Sequence, residues 1–583
     1  MIAARRFSPN LKAFFRSCPR GLSTAPAPAM DTNFVADRCN LNIVTSPYPP
    51  IEEGPYPPLK EFVTANWGPK LSNKVAIIDG STGLQRTFAE YESISDNVAA
   101  SLLHDYSIHE DSTVALFSPN HVDYLPISLA VSLTGAKMTP INPLYTRSEL
   151  SVVLQRSQSS VLIVHESRLD VALESLKECP TIEHVIVITD SNHHDIPEGT
   201  ISFESLKAEH PEGGVTRTVD AVHHKVESHP FMLPYSSGTT GMPKGVCLTH
   251  HNLVANLLQI GAVEDMGFPQ DHKLISPLPM FHIYAFEVSL LYCAWKGQQL
   301  ITMSGRFDME EFCALVQEHQ PERAHLVPPI VLGLAKSPVV DKYDCSSLRQ
   351  IVSAAAPLGI DVELSAKKRL GCEIKQGWGM SELSPLGTCN SDFNSKNGSV
   401  GPLVSSTYAK VVDLEGKSLP PGEDGELLIK GPQVMLGYLD DPEKTEECLS
   451  STKWLRTGDV CHYDEDGYFF ITDRLKELIK VRGYQVAPAE LEALLLTHEE
   501  ISDAAVIQVP DEASGEIPRA YVVLKDPNGC TTDEDIKAWV KERVAPFKRL
   551  EGGVVFTDVI PKSASGKILR RLLRDQAAEE AHD

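Results

Sequence analysis

The chain has 583 residues, 42% hydrophobic and 22% charged, an ordinary globular composition with length enough for several domains. Its formal net charge of -25 argues against a nucleic-acid partner and against electrostatic docking on an anionic membrane, but leaves room for an anionic substrate at a local basic site. The 12 cysteines are scattered singly, with no C-x-x-C and no zinc-type spacing, which predicts buried free thiols.

In chain order, the first thirty residues stand apart. Arg5, Arg6, Lys12, Arg16 and Arg20 are basic, and no acid precedes Asp31. Phe7, Leu11, Phe14 and Phe15 fall at helical spacing. This predicts a targeting presequence over residues 1–30, mitochondrial rather than secretory; the plainer reading is a disordered extension on a cytoplasmic protein. Ala581-His582-Asp583 is not a peroxisomal tripeptide. Residues 31–70 are Pro-rich and read as an arm lying on the surface.

An alternation of strands and helices follows. Lys74–Asp79, Thr113–Phe117, Ala136–Ile141 and Ser160–His165 read as strands. Thr87-Phe88-Ala89-Glu90 and Thr146-Arg147-Ser148-Glu149 are capping-box patterns that open helices between them. The spacing predicts parallel βαβ units. No apolar run reaches the length of a membrane span.

Tyr235-Ser236-Ser237-Gly238-Thr239-Thr240-Gly241-Met242-Pro243-Lys244-Gly245-Val246 gathers hydroxyls, glycines and one lysine. Glycines let backbone N–H groups approach a ligand, hydroxyls donate to phosphate oxygens, and lysine adds a point charge. The stretch suits a polyphosphate, although it lacks the common P-loop pattern and reads equally as a polar surface loop. Further on come Phe281-His282-Ile283-Tyr284, Ser353-Ala354-Ala355-Ala356-Pro357 and Gln376-Gly377-Trp378-Gly379-Met380-Ser381-Glu382. Ser406–Tyr438 turns to short strands with Gly turns. Arg456-Thr457-Gly458-Asp459 precedes a charged break, Asp473-Arg474-Leu475-Lys476-Glu477, where a domain boundary is expected. About a hundred residues remain, closing with Pro561-Lys562-Ser563-Ala564-Ser565-Gly566-Lys567 and a basic helix. Singly these residues are ordinary: Lys567 a solvated lysine, His282 a core histidine, Glu382 an exposed helix residue, Asp459 a turn aspartate.

Together, in this order, the motifs resemble the adenylate-forming superfamily of acyl-CoA synthetases, adenylation domains and firefly-type luciferases. Within it the chain is most similar to 4-coumarate–CoA ligases, over about residues 45–575. The resemblance implies an α/β fold. A large multi-subdomain N-terminal domain (31–474; two α/β sheets plus a β subdomain) would carry a small, mobile α+β C-terminal domain (475–575) and a tail (576–583). It implies an ATP-dependent carboxylic acid–CoA ligase working through an acyl-adenylate, with Mg²⁺ as cofactor and CoA as cosubstrate. A medium- or long-chain fatty acyl-CoA synthetase, a luciferase-like oxygenase and a non-catalytic nucleotide-binding homologue are the alternatives. No transmembrane segment and no obligate protein partner are expected.

The same resemblance implies the site residues. Ser236, Ser237, Gly238, Thr239, Thr240, Gly241 and Lys244 would hold the phosphates, and Ser381 would touch the α-phosphate. Ala355, Gln376, Gly377, Trp378 and Gly379 would wall the adenine slot, Asp459 would accept the ribose hydroxyls, and Arg474 would reach the ribose or α-phosphate. Glu382 is the implied Mg²⁺ ligand. Lys567, assisted by Gln485 and Lys480, would act in adenylation, with His282 orienting the acyl carboxylate. Tyr284, Val288, Ala354, Pro385 and Leu386 would line the acyl pocket, Arg482 and Gly483 the CoA tunnel, and Lys476 would be the hinge. Glu287, Val288, the Ala354–Ala356 run and Trp378 depart from the family pattern, and the bulkier wall puts hydroxycinnamate itself in question against another aryl or a fatty acid.

Overall fold

The computed structural model describes residues 42–190, 196–236, 243–264, 268, 271–482, 484–511, 513–527 and 529–580. The presequence expected over 1–30, the phosphate-loop residues Ser237, Gly238, Thr239, Thr240 and Gly241, and Gly483 lie outside them.

Among the described residues the strands form four sheets. In the first, Lys137–Ile141, Thr113–Phe117, Val161–His165 and His184–Ile188 run parallel. Thr113–Phe117 and Val161–His165 are buried along their whole length because helices cover them. Ala115, Phe117, Leu162 and Val164 pack on Leu150 and Leu154 of the helix Arg147–Ser157. The helix Phe88–His104 starts at its expected capping box, with Thr87 accepting from Glu90 N and Glu90 from Thr87 N. In the second sheet Val75–Asp79, Lys273–Ile275, Gln299–Thr302, Arg323–Leu326, Gln350–Ser353 and Glu373–Gly379 are parallel, and Leu386–Cys389 turns back antiparallel at the edge.

The third sheet is antiparallel: Tyr408–Val412, Gly425–Lys430, Leu455–Tyr463 and Phe469–Arg474. The chain then passes through the turn at Leu475–Leu478 into a fourth, smaller sheet of Ile479–Val481, Tyr484–Val486, Ile501–Asp511, Gly515–Leu524 and Val554–Phe556. Alternation sorts its two faces. Ala504 and Val506 pack with Leu491, Leu495, Ile536 and Val540, while Ala505 and Ile507 pack with Leu573 and Ala577 of the helix Arg570–Glu580. The fold is therefore a mixed α/β one, with a large N-terminal part and a smaller C-terminal part. The small part is seated on the large one by Lys336 Nζ donating to Leu496 O at 3.0 Å and by Ala489 N donating to Asp473 Oδ2 at 2.9 Å.

One reading fails. The arm over 31–70 does not lie on the surface throughout its described length. Val44–Thr45 is a strand paired with Tyr408 and Ala409, and the helix Leu59–Thr64 buries Leu59, Phe62 and Val63 completely. Pro-rich composition marks irregular backbone, but the four apolar side chains Tyr56, Leu59, Phe62 and Val63 decide burial. No described helix is long and apolar enough to cross a membrane. The ten cysteines among the described residues are free thiols.

Candidate active site

The two described ends of the Gly-rich stretch are paired strands: Tyr235 pairs with Gly245 and Ser236 with Lys244, and Tyr235–Ser236 is an edge strand of the first sheet. Lys244 Nζ lies 4.7 Å from the centroid of the Tyr438 ring. A cavity of about 410 Å³ opens there, lined by Arg156, Lys244, Tyr438 and Asp440 among others. At the hydroxyl edge of the same ring, Tyr438 Oη donates to Glu382 Oε1 at 2.9 Å. Glu382 sits in the single 3-10 turn Ser381–Leu383, next to half-buried Ser381. It is only 6% exposed, not the solvent-facing residue its helix-like context suggests. Its Oε2 takes no donor among the described residues, a free hard oxygen that suits Mg²⁺.

Strand ends of the second sheet supply the next wall. Ala354 follows the strand Gln350–Ser353 and is buried, and Ala355 is held at φ +77°, the left-handed region where a glycine is at ease. Gln376 turns inward, its Nε2 donating to Leu358 O and to Glu363 Oε2, and so ties down the loop that carries Ala354 and Ala355. Gly377 lies beside it on the strand, where an added Cβ would stand 3.3 Å from Thr388 O. Gly379 admits no side chain, since an added Cβ would sit 2.1 Å from Pro385 O.

Trp378 has a part that the sequence reading missed. Its indole Nε1 donates to Asp459 Oδ2 at 2.8 Å, and Arg474 Nε lies 3.2 Å from Asp459 Oδ1. Arg474 reaches Asp459 because the two are register partners on adjacent strands. A carboxylate oxygen has two lone pairs, so Asp459 can still accept from a ligand.

Lys567 comes to this group from the C-terminal part. Ser563 N donates to Lys567 O at 2.8 Å, Lys567 N donates to Ser563 Oγ at 3.1 Å, and Gly566 at φ +79° closes the turn. A Cβ on Gly566 would stand 3.2 Å from Val327 Cγ2, so the loop rests directly on the N-terminal part. Burial lowers the Lys567 ammonium to about 8, the Arg474 guanidinium pushes the same way, and Asp459 and Glu382 oppose them. His282 feels burial and then the Lys567 charge, which bring it down to about 3, so it is neutral at physiological pH. Its Nδ1 accepts from Tyr284 N at 3.3 Å, which leaves the proton on Nε2 as a donor. Lys567, Arg474, Asp459, Glu382 and His282 thus form one electrostatic group.

Tyr284 begins a π-helical segment, Tyr284–Leu291, whose residues are all buried. Its hydroxyl donates to Val352 O at 3.3 Å, and its ring stacks on His325. Val288 and Pro385 are buried nearby in sequence to these elements, and Asn256 brackets Leu386 with bonds to its N and O. Glu287, in the same segment, is fully buried with both carboxyl oxygens unpaired, and burial holds it protonated by pushing it well above the ordinary glutamate range.

The remaining expected residues are not brought to this group. Lys480 and Gln485 face each other across the hairpin Ile479–Val481/Tyr484–Val486, both exposed, and neither side chain has a hydrogen bond or ion pair among the described residues. Arg482 turns that hairpin at φ +50°, with Nε donating to Ser514 Oγ. Lys476 is exposed in the turn that precedes it.

His121, His165 and Asp190 form the one three-residue cluster with metal-ligand spacing among the described residues. Each ring Nδ1 accepts a backbone N–H, from Asp123 and Ser167. The two Nε2 atoms lie 3.7 and 3.1 Å from Asp190 Oδ1, so the cluster is a pair of histidines facing one acid.

Comparison with known proteins gives the family. The AMP-binding enzyme family model matches residues 65–439, and the AMP-binding enzyme C-terminal domain matches residues 490–567. 4-Coumarate–CoA ligase 1 of Petroselinum crispum is 40% identical over 523 residues, covering 87% of this chain and 92% of that protein. 4-Coumarate-CoA ligase 1 of Narcissus pseudonarcissus is 37% identical over 523 residues, covering 88% and 92%. Among solved structures, an anthranilate CoA ligase in complex with anthranoyl-AMP superposes with a TM-score of 0.81 at 26% identity, over 91% of this chain and 98% of that one. A benzoate CoA ligase from Burkholderia xenovorans LB400 gives 0.77 at 25% identity, over 89% and 100%.

Proposed function

This chain belongs to the AMP-binding enzyme family, and from that membership we infer that it is an ATP-dependent acid–CoA ligase of the 4-coumarate–CoA ligase type. A carboxylate oxygen attacks the α-phosphorus of ATP, pyrophosphate leaves, and an acyl-adenylate forms. The sulfur of CoA then attacks the acyl carbon, the C–S bond forms, AMP leaves, and the thiol proton passes to solvent.

The observation that carries the residue assignment is the convergence of Lys567 on Asp459, Arg474, Glu382 and His282. The first step brings two anions together, so it needs cations at the α-phosphate. Lys567 meets that charge, with Arg474 beside it and Asp459 accepting from the ribose. Neutral His282 donates its Nε2 proton to the acyl carboxylate and orients it. Glu382 would hold Mg²⁺, which supplies charge neutralisation on the phosphate oxygens when bound. The Ser236–Lys244 stretch cradles the β- and γ-phosphates. Gln485 and Lys480 are assigned to assist Lys567 in adenylation, and Arg482 and Gly483 to the CoA step after the small domain turns about Lys476; the exposure of Arg482 supports that second arrangement. A pyrophosphate-release and acyl-CoA assay across hydroxycinnamic, benzoic and fatty acids tests the reading; an aryl acid is the expected class.

Two results follow from this assignment. Lys567 must carry its proton to act, and its value near 8 in the free enzyme means that charge is full below pH 8 and lost above it. The kcat/KM for ATP in adenylate formation therefore bends downward above about pH 8, and Lys567→Arg, which stays charged, moves that bend out of range. Ala355→Gly relieves a left-handed alanine, worth about 1–2 kcal/mol, against glycine's extra entropy cost of about 0.5–1 kcal/mol, and removes a methyl group from the Ala354–Ala356 wall. It should raise Tm slightly and shift selectivity toward ring-substituted cinnamates by no more than about 1–3 kcal/mol, read as a ratio of kcat/KM values.

The basic segment over residues 1–30 supports mitochondrial import, and a reporter fused to residues 1–40 that stays in the cytosol would refute it.

A further inference from the structure

We propose that Tyr438 is a positioning residue, an aromatic spacer that keeps the phosphate-loop lysine and the metal-binding glutamate from pairing with each other. The proposal rests on the assignment of Glu382 as the Mg²⁺ ligand. Lys244 and Glu382 are opposite charges held at different places on one ring: the ammonium lies over its face, 4.7 Å from the centroid, and the carboxylate sits at its hydroxyl edge, accepting at 2.9 Å. Among the described residues Lys244 forms no ion pair, although Glu382 is bonded to the hydroxyl of the very ring on which the ammonium rests. In a partly buried site such a pair would close readily, because the attraction grows as the dielectric falls. Closed, it would occupy both groups that ATP and its cation require. The cation–π contact gives the ammonium an alternative seat, and the phenol occupies one carboxylate oxygen while leaving the other open.

The spacer is fixed by its backbone. Gly437–Tyr438 is a two-residue strand paired with Val246 and Cys247 on the strand that begins at Lys244. Tyr438 N donates to Thr445 Oγ1 at 2.9 Å. At Gly437, φ is +154° and an added Cβ would sit 2.7 Å from Thr445 Cγ2. The ring can therefore move little without breaking the turn into the helix Pro442–Cys448.

The test measures Mn²⁺ affinity of the enzyme saturated with α,β-methylene-ATP by water-proton relaxation enhancement, which separates enzyme-bound from nucleotide-bound ion. Four variants are compared: Glu382→Gln, Tyr438→Phe, Tyr438→Leu, and Tyr438→Leu with Lys244→Met. Glu382→Gln should weaken Mn²⁺ strongly. Tyr438→Leu should weaken it about tenfold, as the lysine closes on the glutamate, whereas Tyr438→Phe keeps the spacer and stays within about threefold. Adding Lys244→Met to Tyr438→Leu should restore the affinity, which a collapsed structure would not do. If Glu382→Gln weakens Mn²⁺ but Tyr438→Leu does not, or if Lys244→Met fails to restore it, the spacer is wrong. If Glu382→Gln changes nothing, the metal assignment falls and the spacer falls with it.

Discussion

Lys567→Ala is expected to slow acyl-adenylate formation by about 10²–10³-fold, the loss of roughly 3 kcal/mol that one charged contact supplies in a water-poor site. The same variant, given preformed acyl-adenylate and CoA, should make acyl-CoA at close to the parent rate. The asymmetry follows from where the lysine sits: on a loop of the C-terminal part that rests on Val327, facing Asp459 and Glu382, while Arg482 is on a different hairpin facing Ser514. Misfolding would not explain such a result. A lysine whose folded value is lowered binds fewer protons folded than unfolded, so below about pH 8 its ammonium opposes folding, and the opposition fades as pH rises toward the ordinary lysine value. The alanine variant should therefore melt no lower than the parent at pH 7. Stopped-flow mixing of the two half-reactions, with a melting curve beside it, makes the comparison. Equal loss in both steps would remove the case for domain alternation.

Arg323→Met should be the most damaging single change to stability, by about 3–5 kcal/mol. Arg323 is fully buried and bonded to Glu264 and, at 2.9 Å, to Asp392; Lys375, 1% exposed, bonds the same two acids at 2.9 and 2.8 Å. Burial alone would raise Glu264, but Arg323 and Lys375 together hold it well below the ordinary glutamate range. Removing one cation leaves two ionised acids sharing one ammonium in the interior. The strand that carries Arg323 also carries His325, on which Tyr284 stacks, so the loss should reach the acyl pocket as well. Thermal unfolding should show a Tm several degrees lower, and Asp392→Asn in the same background should recover part of the loss by removing the surplus charge. A Tm unchanged by Arg323→Met would mean the ring of charges is not closed in solution.

The sequence made the fold legible wherever local pattern and tertiary need agree. Thr87 and Thr146 announce their helices because the capping partners are three residues away. The alternation of apolar strands with helices announces the parallel sheets, since only covered strands can be apolar on both faces. The helix Leu59–Thr64 was hidden by the prolines around it. The π-helical Tyr284–Leu291 has apolar or buried residues on every side, so no period gave it away.

At the site, the order of the motifs pointed to the acids and the lysine, but not to the contacts among them. Trp378 and Asp459 are 81 residues apart, and Tyr438 and Glu382 are 56 apart. The first pair exists only once the third sheet has folded against the second, the other only once Gly437–Tyr438 has paired with Val246 and Cys247 of the first sheet, and a two-residue strand leaves no periodic trace. The burial of Glu382 is of the same kind, because it depends on Tyr438 covering one oxygen.

The claim on which everything else depends is that the carboxylate of the substrate attacks the α-phosphorus of ATP. The direct measurement uses an acid labelled with ¹⁸O in both carboxylate oxygens, incubated with enzyme, ATP and CoA, with the products resolved by mass spectrometry. One ¹⁸O should appear in AMP for each acyl-CoA formed, and pyrophosphate should carry none. Label in inorganic phosphate with ADP as the nucleotide product, or acyl-CoA formed with unlabelled AMP, would contradict it.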